Sequence, residues 1–322
     1  MRIGIDLGGT KIEAIALDAK GAILLRHRTP TPAGDYAATL AAIADLVAFV
    51  EAETGRRGSV GVAAPGAISV KTGLVKNANS TVLNGKPLDR DLAAVLRRPV
   101  RLENDANCFA LSEAADGAAA GASTTFGVII GTGVGGGLVI GGKVITGRNR
   151  VGGEWGHNPL PWARDDERPG ASCYCGKSGC IETFLSGAGL TRDYLTRTGE
   201  NLAAHDIANA AASGEAQALA CLALYQDRLA RGLASVINIV DPDVIVLGGG
   251  LSNIMPLYAG LSGMIARYAF SDGVDTPVLR AAHGDSSGVR GAAWLWPIEP
   301  DAGGAQSRSV SPANPAEKSD AC

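Results

Sequence analysis

The chain has 322 residues, 46% hydrophobic and 19% charged, with a formal net charge of −3. That length favours two domains and allows about three quarters of the unfolded surface to be buried without disulfide or metal staples. No run of lysine or arginine suggests nucleic-acid or membrane-surface binding, and no stretch approaches the roughly 20 apolar residues that span a bilayer.

The chain opens on a strand-like run, 2–7, and not on a charged and then apolar leader. A cytoplasmic, reducing location is therefore expected, with the six cysteines serving as thiols or metal ligands. The opening strand runs into Asp6-Leu7-Gly8-Gly9-Thr10-Lys11. Two glycines let backbone N–H groups approach an anion, Thr10 and Lys11 add a hydroxyl and a charge, and Asp6 could hold a metal-bound water beside phosphates. The spacing is not that of a P-loop, and a tight hairpin with a capping Asp explains the residues equally well.

Strands are expected at 12–17 and 22–28, joined by the turn 18–21. Asp35 is placed to cap a helix to about residue 53, with Leu40, Ile43, Leu46, Val47 and Val50 on one face. A short strand at 59–63 ends at Pro65-Gly66, a helix is expected around 92–96, and a strand at 100–102 leads into a helix over 106–119. Between these last two lies Arg101-Leu102-Glu103-Asn104-Asp105-Ala106-Asn107. Asp105 is either a helix N-cap or a general base at a strand's C-terminal edge, with neutral asparagines suited to sugar hydroxyls beside it.

A second strand, 125–130, opens into Gly131-Thr132-Gly133-Val134-Gly135-Gly136-Gly137. This contains G-x-G-x-x-G, but so many glycines and β-branched residues cannot start the helix that a dinucleotide fold requires. A hairpin that cradles phosphate through backbone amides is expected instead, echoing the start of the chain and suggesting two similar lobes. The most specific motif is Gly153-Glu154-Trp155-Gly156-His157 followed by Cys173-Tyr174-Cys175-Gly176-Lys177-Ser178-Gly179-Cys180-Ile181-Glu182. Three cysteines and one histidine make the Cys3His set of a structural zinc site, with no open position. Cys108 and Cys221 are expected as core thiols and Cys322 as a tail residue. Helices are expected at 188–197 and 216–239. A buried strand at 243–247 precedes Gly248-Gly249-Gly250, where a flat ligand such as adenine could approach. The last 24 residues, 299–322, are rich in Ser, Pro, Ala, Asp and Gly and are expected to be disordered.

Over residues 1 to about 298 these motifs resemble one family, the ROK sugar kinases. The resemblance implies an α/β, actin-like (ribonuclease H-like) two-lobed fold with a zinc loop. It divides the chain into an N-terminal lobe over 1–118, rejoined by a helix at 287–298, and a C-terminal lobe over 119–286. It implies an ATP-dependent hexose kinase using Mg2+ with ATP and a structural Zn2+, usually a homodimer. Asp105 matches the base; Gly66, Asn79, Asn104, Asp105, Glu154, His157 and Glu182 match sugar-facing positions. Gly4, Ile5, Asp6, Leu7, Gly8, Gly9, Thr10 and Lys11 match one nucleotide-facing segment. Thr132, Gly133, Val134, Gly135, Gly136, Gly137, Leu138 and Val139 match a second, and Gly248, Gly249 and Gly250 a third. His157, Cys173, Cys175 and Cys180 match the zinc ligands.

Within the family, 76–80, 157–162 and 283–288 resemble manno(fructo)kinases, so D-fructose is the expected substrate with mannose weaker. Residues 104–113 resemble N-acetylglucosamine kinases equally, which makes that sugar, or glucose, the alternative. ROK repressors would place a helix-turn-helix ahead of the phosphate loop, and a structural ATPase would give the cysteine cluster no purpose; an enzyme is expected.

Overall fold

The computed structural model describes residues 1–32, 34–284 and 287–297; the expected tail, 299–322, lies outside them. The chain begins β1 (Arg2–Leu7), β2 (Lys11–Leu17), β3 (Ile23–Pro30), α1 (Tyr36–Thr54), β4 (Ser59–Ala64), β5 (Ala67–Ile68) and β6 (Val75–Lys76). It continues α2 (Leu88–Leu96), β7 (Val100–Asn104), α3 (Asp105–Asp116), β8 (Thr124–Ile130), β9 (Val134–Ile140) and β10 (Lys143–Val144). After the cysteine loop come α4 (Ile181–Leu185), α5 (Gly187–Thr198), α6 (Ala204–Ala212), α7 (Ala216–Val240), β11 (Val244–Gly248), α8 (Leu261–Ala266), β12 (Val278–Arg280) and α9 (Ser287–Trp294).

Two five-stranded sheets result, ordered β3-β2-β1-β4-β7 and β10-β9-β8-β11-β12. In each, a three-stranded antiparallel meander is extended by two parallel strands. The repeated strand–glycine-turn–hairpin in the sequence therefore marks two sheets of the same topology. Each has its own aliphatic core: Ile43, Leu46, Val47 and Val50 of α1 pack on the first sheet, and Tyr225, Leu229 and Leu233 of α7 lie in the core of the second. Asp35 caps α1 as expected, accepting from the Ala38 N–H at 2.9 Å.

Between the sheets α3 packs against α9, with α9 on β1 and β4 and α3 on β8 and β9. The contacts are backbone to backbone. A methyl at Gly4, Gly61 or Gly291 would collide with the carbonyl oxygen of Val289, Ala292 or Cys108 respectively. Such close approach is available only to glycine. The sequence reading missed β5, β6, α4, α6, α8 and β12, all of nine residues or fewer and so too short to stand out by periodicity.

Candidate active site

In both sheets the parallel strands end on one side, where open α/β sheets bind ligands. From the first sheet this edge presents Asp6 near the end of β1, Gly66 beyond β4, Asn104 as the last residue of β7 and Asp105 just beyond it. From the second it presents the turn Gly131-Thr132-Gly133 beyond β8 and Gly249-Gly250 beyond β11.

The β1–β2 turn is closed by the Gly8 N–H donating to Lys11 O at 3.1 Å, and Thr31 Oγ1 donates to Gly8 O at 2.7 Å. Gly9, Thr10 and Lys11 are left exposed. A cavity of about 480 Å3 lies beside this turn, lined in part by Leu7, Gly9, Thr31, Asn79 and Leu83. Asp6 is pushed up to about 6, chiefly by burial and then by the charges of Asp105 and Glu13. A methyl at Gly288, in the first turn of α9, would lie 3.4 Å from the Asp6 carboxylate, so α9 also borders the cleft.

Asn104, and not Asp105, caps α3. Its side-chain oxygen accepts from the N–H groups of Ala106 at 2.8 Å and Asn107 at 3.3 Å, and its amide donates to Gly66 O at 3.2 Å. Gly66 has φ +78°, and any side chain there would strike the backbone of Lys76 and Ala78. Asn104 and Gly66 thus shape the pocket wall. Asp105 is the first helical residue and is exposed, its carboxylate accepting from the Ala106 N–H at 2.8 Å. The surrounding protein still removes enough water to push its pKa up.

Glu154 is exposed to the cleft and raised, first by burial, with His157 and Lys76 opposing and Asp105 and Glu182 reinforcing the shift. Each of those groups therefore lies within electrostatic reach of Glu154. Glu182 Oε2 accepts from the Val134 N–H at 3.0 Å, joining the cysteine loop to the start of β9. Trp155 is buried and its Nε1 donates to Gly135 O at 2.9 Å, fixing the segment that carries Glu154 and His157.

The ligand atoms of His157, Cys173, Cys175 and Cys180 all lie within 4.8 Å of one another. His157 Nδ1 is 3.5 Å from Cys173 Sγ, and the sulfurs of Cys175 and Cys180 are 3.6 Å apart. Around a tetrahedral zinc, with bonds of roughly 2.0–2.3 Å, neighbouring ligand atoms stand about 3.5–3.8 Å apart. The residues therefore fit that ion in number, chemistry and spacing. The loop pairs back on 158–160 through Leu160 N–H to Gly179 O at 3.0 Å and Ile181 N–H to Asn158 O at 2.8 Å.

Several expected nucleotide positions are not open surface. Gly4 and Ile5 lie inside β1, with Ile5 fully buried. Val139 is buried in β9, and Leu138 packs against the core. Gly136 and Gly137 are used for packing: a methyl at Gly136 would press on Trp155, and one at Gly137 on the backbone of α3. Gly248 is likewise buried against the Phe109 ring. The open part of these segments is Gly8–Lys11, Thr132-Gly133 and Gly249-Gly250. Trp162, at the end of the 157–162 segment, is half exposed, packs its ring at a tilt on Tyr268 with centroids 5.5 Å apart, and its carbonyl accepts from Arg231 at 3.0 Å.

Sequence reasoning missed three buried carboxylates, of which Glu13 pairs with Arg26 and Arg28 of β3 and the other two tie distant segments together. Glu167 accepts from Arg228 and Arg231 of α7 at 2.7–2.8 Å, which anchors the long loop between His157 and Cys173. Those two arginines, burial notwithstanding, help hold Glu167 down at about 2. Glu113 of α3, fully buried, accepts from the Ala118 and Ala282 N–H groups, both at 2.9 Å, and from Ser287 Oγ at 2.8 Å. A lone acid on the apolar run of α3 was the available signal.

A family profile described as the ROK family matches residues 2–299. The chain is 42% identical over 299 residues to the N-acetyl-D-glucosamine kinase of Vibrio parahaemolyticus, covering 92% of this chain and 99% of that one. Identity and coverage are the same with the N-acetyl-D-glucosamine kinase of Salmonella paratyphi C. Among solved structures, a ROK hexokinase from Thermus thermophilus superposes with a TM-score of 0.81 at 33% identity, covering 91% of this chain and 96% of that one. A ROK glucokinase from Streptomyces griseus, in complex with glucose and AMPPNP, gives 0.73 at 29% identity, covering 91% and 98%. The fold, two like sheets closing on one cleft, is that of sugar kinases. The chain belongs to the ROK family.

Proposed function

We propose that the chain is an ATP-dependent sugar kinase acting on N-acetyl-D-glucosamine. The observation that carries the reading is the 42% identity to N-acetyl-D-glucosamine kinases across essentially both full lengths. Asp105, His157 and Glu182, all within electrostatic reach of Glu154, suit the chemistry, with Glu182 bonded at the Gly131–Gly133 turn. Asp105 takes the proton of the attacking sugar hydroxyl while that oxygen bonds to the γ-phosphorus and the β–γ bridging bond breaks, releasing ADP. Backbone N–H groups at Gly8–Lys11, Thr132-Gly133 and Gly249-Gly250 hold the nucleotide, and Asp6 faces the phosphates. Mg2+ carried in with ATP supplies charge neutralisation. Asn79, Asn104, Glu154, His157 and Glu182 orient the sugar, with Gly66 in the wall. Zinc on His157 and the three cysteines is structural and supplies rigidity.

Three further assignments rest on the family resemblance: a lobe boundary near residue 118 with α9 rejoining the first lobe, a homodimer, and a cytoplasmic location. Among the described residues no helix is long and apolar enough to cross a membrane.

D-Fructose is the second reading, supported by the placing of Asn79 on the cavity beside the phosphate turn. It is weakened by the 42% identity to N-acetyl-D-glucosamine kinases. A coupled assay with ATP and a hexose panel decides the matter. N-acetylglucosamine is expected to give the highest kcat/KM; a higher value for fructose or glucose would overturn the substrate assignment, and no turnover with any sugar would overturn the kinase.

A further inference from the structure

Each nitrogen of an imidazole takes one partner at a time. His157 Nδ1 is turned into the thiols, 3.5 Å from Cys173 Sγ. Nε2 is thus the nitrogen through which His157 can meet a sugar hydroxyl, and it is already engaged: Tyr174 Oη lies 2.9 Å away. The two rings stand edge to face, with centroids 5.0 Å apart and planes at 89°. Tyr174 nevertheless is 80% exposed, on a link between Cys173 and Cys175 that no core element covers. An aromatic ring left in water beside a cluster of sugar-facing polar groups is not accounted for by packing. The carboxylates of Glu154 and Glu182 lie within electrostatic reach of the same hydroxyl.

We propose that Tyr174 is a further sugar-binding residue: its hydroxyl occupies His157 Nε2 until a sugar hydroxyl replaces it, and its ring then covers the bound sugar. The inference rests on the sugar-kinase reading and deepens it. One hydrogen bond is exchanged for another at Nε2, and the displaced phenol is free to hydrogen-bond to water or a neighbouring carboxylate. Because Tyr174 is exposed, moving it disturbs no core. The ring offers the sugar an apolar face and a polar tip, the combination that suits a ligand with both C–H and O–H surfaces.

Calorimetric titration of N-acetyl-D-glucosamine, and separately of D-fructose, into the full chain purified without chelator tests this. Tyr174→Phe removes the competing hydroxyl and keeps the ring, so the sugar Kd is expected to fall about fivefold, the worth of one modest hydrogen bond. Tyr174→Ala removes both and is expected to bind at least about fivefold more weakly than Tyr174→Phe. A gain of less than twofold for Tyr174→Phe overturns the proposal, as does equal binding by the two variants. Loss of bound metal from Tyr174→Phe also overturns it, since the tyrosine would then be a scaffold for the loop. If the parent binds fructose alone, the N-acetylglucosamine assignment fails and Tyr174 is judged on fructose. If the parent binds neither sugar, this inference falls, while the sugar-kinase reading stands or falls on the wider hexose panel.

Discussion

Asp105 is free to meet a substrate because Asn104 takes the helix cap. Its neighbour satisfies the N–H groups of Ala106 and Asn107, so the Asp105 carboxylate is not committed to the far side of the first turn. Replacing Asp105 by Asn keeps the shape and removes the proton acceptor. Turnover is expected to drop at least about a hundredfold with nucleotide affinity and melting temperature retained; turnover within threefold of the parent would rule the residue out as base. Because burial pushes Asp105 up, kcat/KM is expected to fall on acidification at a pH above the ordinary aspartate range. Asp6 gives the complementary test on stability. Its folded-state pKa of about 6 exceeds its ordinary 3.8, so the folded protein binds this proton more tightly than the unfolded chain. The ionised carboxylate therefore destabilises the fold fully above about pH 6 and not at all below about 3.8. Asp6→Asn should raise the stability of the ligand-free protein at pH 7.5 by on the order of 2 kcal/mol, the gain vanishing near pH 4. A gain unchanged across that range would show that the shift lies elsewhere.

At the scale of elements, the cysteine loop links the candidate metal cluster to the glycine turn before β9 through few bonds. Glu182 follows Cys180 by two residues, and its carboxylate fixes the start of β9 at Val134. Elemental analysis is expected to find one zinc per chain, and Cys175→Ala to lose zinc and sugar affinity together while the first sheet stays folded. Zinc peptides bind their ion with roughly 10–16 kcal/mol, more than a loop of this length can recover by packing. Zinc-free protein purified without chelator would refute the site. The Glu167–Arg228–Arg231 cluster explains why so long a loop holds its place: it ties the loop to the middle of α7.

For the whole molecule, the layer of α3 and α9 between the sheets determines how the two halves face each other. Gly4, Gly61 and Gly291 let α9 reach β1, β4 and α3 at backbone distance. Gly291→Ala is expected to destabilise the protein by about 1–3 kcal/mol or more, because the neighbouring carbonyl of Cys108 belongs to a helix and cannot rotate away. Denaturant titration checks this, and a change below about 0.5 kcal/mol would mean that the layer yields easily. Activity should decline with stability, since α9 also brings Gly288 against Asp6.

The sequence by itself determined what local chemistry can encode. The first-turn glycines, the Cys3His spacing, the rejection of a dinucleotide helix at Gly131–Gly137 and the long periodic helices α1 and α7 depend on residues close in the chain, whose steric and ligand preferences act at short range. Only the tertiary structure decided which glycines stay open at the strand ends and which let a helix approach, because a missing side chain looks the same in either case. The same limit hid Glu113, whose partners Ala282 and Ser287 lie far along the chain. It also hid Tyr174, whose partner His157 reaches it only once the loop has folded back. Such hydrogen bonds are set by the closing of the fold, and no local pattern records them.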